Sequence, residues 1–535
     1  MCRDFYIIPA SGAFRNRAAR RISLKGGRAL IQDKKLALNT ALLTASGLIM
    51  RFVGMVWQVW LVGRIGEAGI GLFQLVMSVT SLAATVAISG IRYTSTRLVS
   101  EELGLGERRG AARALTVCAF YGLFFGLAAG LVLMLLAEPL GFLWLGDART
   151  VRPLMLLALE MPLTGLDSMM HGYFTAVGRV WKSVCVAIAQ QLVTIGVTMA
   201  MLLSGVPENL EYACLVITAG RLAGAVFEII AMAIVYALDR RRHGICRGDK
   251  AAPLGGMTKR ALSIALPLAV AAYARSGLST LQHLLVPTGL KASGLGAEAA
   301  LAGYGVIQGM ALPVVLFPSC VMLAVAELIV PKLTEKQVQR QGQSIRTVTA
   351  NILENGLRFS AICTALFIAL GGSLGMALYD SAEAGLYIQL FALIVPVMYL
   401  DMLADGCLKG LGEMMFCMYV NIADAGLSAL LVWLMLPKWG LSAYIFVICF
   451  TEIFNFALSL WRLRAKSGVS IPFRSIIKTA LWAALSGAFA WGVNSIMKSA
   501  GNGVPALIIA CAAGLALYAW GVISPGAAAG KRACR

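Results

Sequence analysis

Charge is scarce in this chain. Lys, Arg, Asp and Glu make up 13% of its 535 residues, about half the share of a soluble domain. A soluble globular protein of this length is therefore excluded. The twelve cysteines contain no CxxC, and most stand in apolar runs, as Cys118, Cys185, Cys363 and Cys449 do. They read as small packing residues, with no disulfide framework and no zinc site or other metal centre. A Walker A sequence is missing, so this chain does not hydrolyse ATP. The histidines number three, and none forms a pair or a Cys/His cluster of catalytic spacing. With no catalytic motif and no cofactor signature, the chain reads as something other than an enzyme. The short alternating segments of a transmembrane β-barrel are absent as well. Residues 1–35 hold no continuous apolar stretch before a small-residue cleavage site, so a removable signal peptide is not expected.

What the chain has in abundance is apolar length. It is 59% hydrophobic, with a mean hydropathy of +0.79. Fourteen apolar segments of about 20 residues are expected as membrane-spanning helices. They lie at 36–63, 69–91, 113–136, 153–178, 183–204, 211–238, 260–287, 299–330, 350–371, 384–408, 414–436, 440–461, 476–497 and 503–523. The formal charge of +20 could suggest nucleic acid, but its distribution excludes that reading. Away from the span ends, where Arg113, Arg260 and Lys478 lie, only Arg51, Arg221, Arg275 and Arg358 stand inside spans, and only Arg64, Arg149, Arg152, Lys291, Lys438 and Lys498 fall on one side of them. The remaining basic residues share the other side, which the positive-inside rule makes cytoplasmic, with both termini there. The basic charge is thus mostly topological, with some attraction to anionic headgroups. A multi-pass protein of the cell membrane, in contact with its lipids, is expected.

The spans repeat. Pro162, Asp167, Gly172 and Gly178 in span four recur as Pro396, Asp401, Gly406 and Gly412 in span ten, at an offset of 234. Gly71 and Gln74 match Gly305 and Gln308 at the same offset, as Glu101 matches Glu335. Arg51, Gln58 and Leu61 match Arg275, Gln282 and Leu285 at 224. The difference fits an insertion around Lys291 to Glu298. Six spans per copy give both copies the same topology, the parallel-repeat class of transporter with its site at the lobe interface. The expected organisation is a flexible basic tail over 1–35, a first lobe over 36–238, a basic linker over 239–259, a second lobe over 260–464, and two extra spans with a short tail over 465–535.

Charges inside spans are costly and mark sites. Arg51 and Gln58 share one helix face, as do Arg275 and Gln282, and the repeat suggests paired cations facing one cavity. Asp167 and His171 stack on span four, with Asp401 and Asp405 as their equivalents. They read either as proton or Na⁺ coupling sites or as counter-charges that hold the lobes together. Arg221 and Glu228 share a face, and Asp424 and Glu452 are further acids. Arg358 and Glu354 are spaced to pair. Lys409 and Arg179 read as snorkelling anchors, and His283 as interfacial. Pro267, Pro313, Pro318 and Pro396 are expected to kink their spans.

The stretch 71–104, GLFQLVMSVTSLAATVAISGIRYTSTRLVSEELG, resembles the stage V sporulation protein B group, as do HGYFTAVGR (171–179), ALPLAVAAYARSGLSTLQHLLVP (265–287) and AGYGVIQGMALPVVLFPS (302–319). That group belongs to the polysaccharide-transporter branch of the multidrug/oligosaccharidyl-lipid/polysaccharide exporter superfamily. The resemblance covers roughly 36–525. It implies two six-helix lobes in a V around a cavity that opens alternately to either side. It also implies flipping of polyprenyl-diphosphate-linked saccharides, such as peptidoglycan precursors, with Arg51 and Arg275 on the diphosphate. Guanidinium is suited to that role, since it stays charged in an apolar setting and presents paired donors to phosphate oxygens. Gln58 and Gln282 would bond sugar or phosphate. The fourteen-span layout favours flippases over twelve-span antiporters. Two other readings stand beside this one: a cation-coupled multidrug antiporter, and a transport-inactive scaffold for cell-wall or sporulation synthesis enzymes.

Overall fold

The computed structural model describes residues 12–105, 108–204, 209–243, 254–469, 473–499 and 504–533. These residues form an all-helical membrane protein. The helices are α1 (Gly12–Ile88), α2 (Ile91–Gly104), α3 (Arg108–Pro139), α4 (Val151–Ala158), α5 (Met161–Ala176), α6 (Val180–Ser204), α7 (Leu210–His243), α8 (Leu254–Ala292), α9 (Ala297–Gly305), α10 (Leu312–Leu316), α11 (Ser319–Val338), α12 (Gly342–Tyr379), α13 (Ala382–Ala392), α14 (Val395–Gly410), α15 (Met414–Ser467), α16 (Phe473–Ser499) and α17 (Val504–Ala533). Among them, nine are long and apolar enough to cross a membrane, or ten if the bent pair α13–α14 counts as one. That is fewer than the fourteen expected segments because segments merge or break. α1 carries spans one and two, joined at Gly66 (φ 72°, ψ −179°), and α15 carries spans eleven and twelve, joined at Gly440 (φ 56°, ψ −137°). Both conformations belong to glycine, so a glycine is what lets two spans share one element. The basic segment expected as a flexible tail is helical from Gly12 onward.

The repeat governs where helices break. Span four divides between Ala158 and Met161, and span ten between Ala392 and Val395, again 234 residues apart. Pro162 and Pro396 stand at the second position of the helices that follow, where a missing N–H costs nothing. The span-ten break bends the chain by 56°. In span eight, π-helical turns over Val306–Ala311 precede Pro313, and Pro318 separates α10 from α11. Pro267 lies inside α8, whose helix continues through it. The ten extra residues of the second copy are spent on lengthening α8 to Ala292 and on the link to Ala297.

Helices α2 to α7 pack mainly among themselves, as do α8 to α15, while α1 packs as closely on α8 and α9 as on α3, and α16 and α17 lie on α12. Gly487 approaches Ala365, and Gly514 approaches Leu366. The two extra spans are therefore a flank of the second lobe.

The lobes meet at the repeat glycines. A Cβ on Gly71 would stand 2.2 Å from the Leu301 carbonyl oxygen, and one on Gly305 would stand 2.2 Å from that of Glu67 and 2.8 Å from the Gly71 nitrogen. Two equivalent glycines thus bring α1 and α9 into backbone contact. Ser381 donates to Glu67 at 2.9 Å beside them. This is the end of the spans expected to face outward. Gly71→Ala should force the seam apart at an overpacking cost of about 1–3 kcal/mol. The expected result is a longer spin-label distance across Glu67 and Ser381, with the helices still folded by circular dichroism.

Candidate substrate cavity and ion sites

Arg275 lines two cavities. The first, about 500 Å³, has walls from Gln74, Ser78, Ser81 and Thr85 on α1, Arg275, Ser276, Ser279, Thr280 and His283 on α8, and Tyr304 and Gln308 on span eight. It is polar because the hydroxyl and guanidinium groups of spans two and seven share one face. The second, about 510 Å³, lies within the second lobe and is lined by Glu327, Asp401, Asp405, Lys409, Asn421, Asp424, Glu452 and Asn455 as well as Arg275. Arg275 is exposed and makes no ion pair among the described residues. A guanidinium held unpaired in a membrane bundle is available to an anionic ligand.

The other three residues expected on the substrate are placed differently. Arg51 is exposed and unpaired among the described residues, yet it lines neither cavity. Span one packs on span eight, as the Phe52–Phe317 ring contact at 6.2 Å shows, while span two packs on span seven. Arg51 and Arg275 therefore stand on opposite lobe seams. Gln58 donates to the Gly309 carbonyl at 2.8 Å, across the lobes. Its amide nitrogen is committed to the interface rather than to a sugar. Gln282 is half-buried and lines neither cavity, because the cavity face of α8 follows Arg275, Ser279 and His283. His283, expected at the interface, is instead on the cavity wall, with its Nδ1 3.2 Å from the Tyr304 hydroxyl.

The acids also sort themselves. Asp405 is 3.4 Å from the Lys409 ammonium and accepts from Ser459 at 3.5 Å. Lys409 is thus a counter-charge, not a free anchor, and Asp405 is partly neutralised. Arg179 likewise pairs with Asp239, which Lys182 also meets. Asp401 is different. It is 9% exposed, and Asn455 donates to its Oδ2 at 3.3 Å. Its Oδ1, together with Oδ1 of Asp424 and Oδ1 of Asn455, is buried with no hydrogen-bond partner. All three residues line the same cavity. Buried oxygens of this kind suit a hard cation. In the sequence Asp424 and Glu452 are further acids within spans that could form intra-lobe pairs; the fold brings both, with Asn455, into one cavity with Asp401.

In the first lobe, His171 Nε2 is 3.5 Å from Asp167 and 3.7 Å from Glu228. The i,i+4 stacking on span four is as the spacing predicts, and Glu228 joins from α7. These three ligand atoms lie within 4.8 Å of one another. Glu228 therefore leaves Arg221 to Glu160, at 2.9 Å. Glu160 is 8% exposed, and its Oε2 has no partner. Arg221→Ala would strand that carboxylate at a cost of about 3–5 kcal/mol, read as a lower unfolding temperature. Adding Glu160→Gln should restore most of the loss. Arg358 pairs with Glu354 at 2.5 Å, as their spacing predicts.

The model of the polysaccharide biosynthesis protein family matches residues 36–325. Stage V sporulation protein B of Bacillus subtilis (strain 168) is 22% identical over 359 residues, covering 66% of this chain and 68% of its own length. Sporulation protein YkvU of the same organism is 20% identical over 270 residues, covering 49% and 58%. Among solved structures, the lipid II flippase MurJ in an inward closed conformation superposes with a TM-score of 0.67 at 11% identity, covering 91% of this chain and 98% of that one. An inward-facing multidrug resistance MATE family transporter of the MOP superfamily superposes at 0.59 and 13%, covering 78% and 96%. The chain belongs to the polysaccharide biosynthesis protein family and has the fold of the MOP-superfamily transporters.

Proposed function

We propose that this protein is a flippase that carries a polyprenyl-diphosphate-linked saccharide across the cell membrane by alternating access, in cell-envelope or spore-envelope synthesis. The observation that carries the proposal is Arg275, an unpaired guanidinium on the wall of a hydroxyl-lined cavity between the lobes. It binds the diphosphate with paired charge-assisted hydrogen bonds, and the serine and threonine hydroxyls bind sugar. Arg51, its repeat equivalent on the opposite seam, meets the same head as the lobes move. The chain sits with both termini in the cytoplasm, so the membrane potential acts on the bound charge at about 2.3 kcal/mol per charge per 100 mV. Two relatives bear the name of sporulation proteins, which supports a setting in sporulation. The test is translocation of a labelled polyprenyl-diphosphate saccharide in proteoliposomes, which the protein should accelerate.

Transport is coupled to a cation at Asp401, with Asp424 and Asn455 as further oxygen ligands. Asp167 and His171, completed by Glu228, form a proton-accepting cluster, because imidazole is a poor ligand for Na⁺ and a good proton acceptor. The acidic second cavity also favours a second reading, a cation-coupled exporter of cationic drugs. On that reading drug efflux depends on Asp167 and Asp401 and not on Arg51 or Arg275. At matched expression, Asp167→Asn should shift the pH dependence of translocation while leaving its Na⁺ dependence intact. An unchanged pH profile would remove Asp167 from coupling.

A further inference from the structure

Spans two and seven run antiparallel along one another. Thr280 donates to the Ser78 carbonyl at 3.0 Å, Thr85 donates to Ser276 Oγ at 3.1 Å, and the hydroxyls of Ser89 and Tyr273 bond to each other. As the α1 partner advances from Ser78 to Ser89, the α8 partner retreats from Thr280 to Tyr273. The seam is thus a row of neutral hydroxyl contacts, one per turn or two; an ion pair between α2 and α8, Arg260 to Glu101 at 2.6 Å, lies beyond its Ser89–Tyr273 end. Such contacts open at little cost, because the hydroxyls have carbonyls of their own helix to fall back on. Thr85 already reaches the Ser81 oxygen at 2.8 Å, and Ser89 reaches that of Val86.

The two sides of this seam differ sharply. On one lies the polar cavity with Arg275. On the other, between α1, α3 and α8, lies an apolar groove of about 580 Å³, walled by Leu82, Val86, Val132, Leu136, Leu281 and Leu284. Thr280 borders both. Along α3 the groove wall runs from Phe125 to Pro139, about 21 Å at the helical rise. One helix pair therefore separates a place for a charged head from a place for a long hydrocarbon.

We infer that the seam between spans two and seven is a lateral gate, and that the groove outside it holds the apolar chain of the substrate whose anionic head lies at Arg275. The inference rests on the flippase reading and adds to it where the chain runs and which contacts part to let it pass. Gly277 stands at the groove, and a Cβ there would meet nothing within 4 Å. A side chain added at this position can therefore start into the groove without a backbone clash.

The test compares two diphosphate-linked saccharides with the same head, one on a long polyprenyl chain and one on a short isoprenyl chain. Gly277→Leu in proteoliposomes should slow flipping of the long-chain lipid at least tenfold and leave the short-chain one within twofold. Equal rates for the long chain in variant and wild type would overturn the gate. Equal slowing of both chains would overturn it as well, since it marks a general loss. In the wild type, a photoreactive group on the long chain should label Val132 and Leu136. Excess unlabelled substrate should abolish that labelling and excess phospholipid should not. Competition by phospholipid as strong as by substrate would mark bulk lipid as the occupant and overturn the proposal. A wild-type protein that flips neither lipid but still binds the short-chain head would contradict the flippase reading itself, and the gate with it.

Discussion

Arg275→Ala should cut the affinity for a diphosphate-linked saccharide by roughly tenfold to a hundredfold, the worth of one lost charge-assisted contact at about 1.5–3 kcal/mol. Translocation should fall at least as far, since the head can no longer be held while the lobes exchange sides. The fold should survive, because Arg275 is exposed to the cavity and has no ion pair to lose among the described residues. Arg275→Lys keeps the charge but not the planar fork, so it should recover only part of the affinity. Arg51→Ala is expected to impair translocation as well, without the same loss of equilibrium affinity, because Arg51 lies outside the cavity that contains Arg275. Binding by microscale thermophoresis and flipping in proteoliposomes, measured on matched amounts of folded protein, separate the two arginines.

Asp401→Asn should abolish cation coupling. Asp401 is 9% exposed and its Oδ1 has no hydrogen-bond partner, like those of Asp424 and Asn455 in the same cavity. A cation that binds there and not in the unfolded chain stabilises the protein by mass action, about 2.7 kcal/mol at a hundredfold excess over its dissociation constant. Na⁺ should therefore raise the unfolding temperature of the wild type in a concentration-dependent way, with choline as the ionic-strength control. Asp401→Asn should lose that response. Asp405→Asn should keep most of it, because Asp405 is already matched by Lys409 at 3.4 Å. A Na⁺ response that survives Asp401→Asn would move the site elsewhere.

Much of this fold is legible in the amino-acid sequence, for physical reasons. Apolar length marks the spans. The recurrence of Pro162, Asp167 and Gly172 at Pro396, Asp401 and Gly406 exposes the two copies, and the structure repeats even the helix breaks that precede those prolines. Gly71 and Gly305 match in sequence because both must bring one backbone against another. The site was less legible. A helical wheel places Gln58 beside Arg51 and Gln282 beside Arg275, but which face meets the other lobe depends on how four spans cross. That crossing gives Gln58 to Gly309 and moves His283 onto the cavity wall. Likewise no spacing joins Asp401 to Asp424 and Asn455, which come from different spans and meet only through packing. The Arg221–Glu160 pair shows the same limit: Glu228 is the acid in register on Arg221's own helix, but the tertiary partner wins.

The most direct measurement is the rate at which purified protein in liposomes flips a fluorescent polyprenyl-diphosphate saccharide, beside an analogue whose diphosphate is replaced by a neutral linker. The protein should accelerate the charged lipid well above protein-free vesicles and leave the neutral one near background, with the difference lost in Arg275→Ala. Equal acceleration of both lipids, or none of either by folded protein, would contradict the proposal.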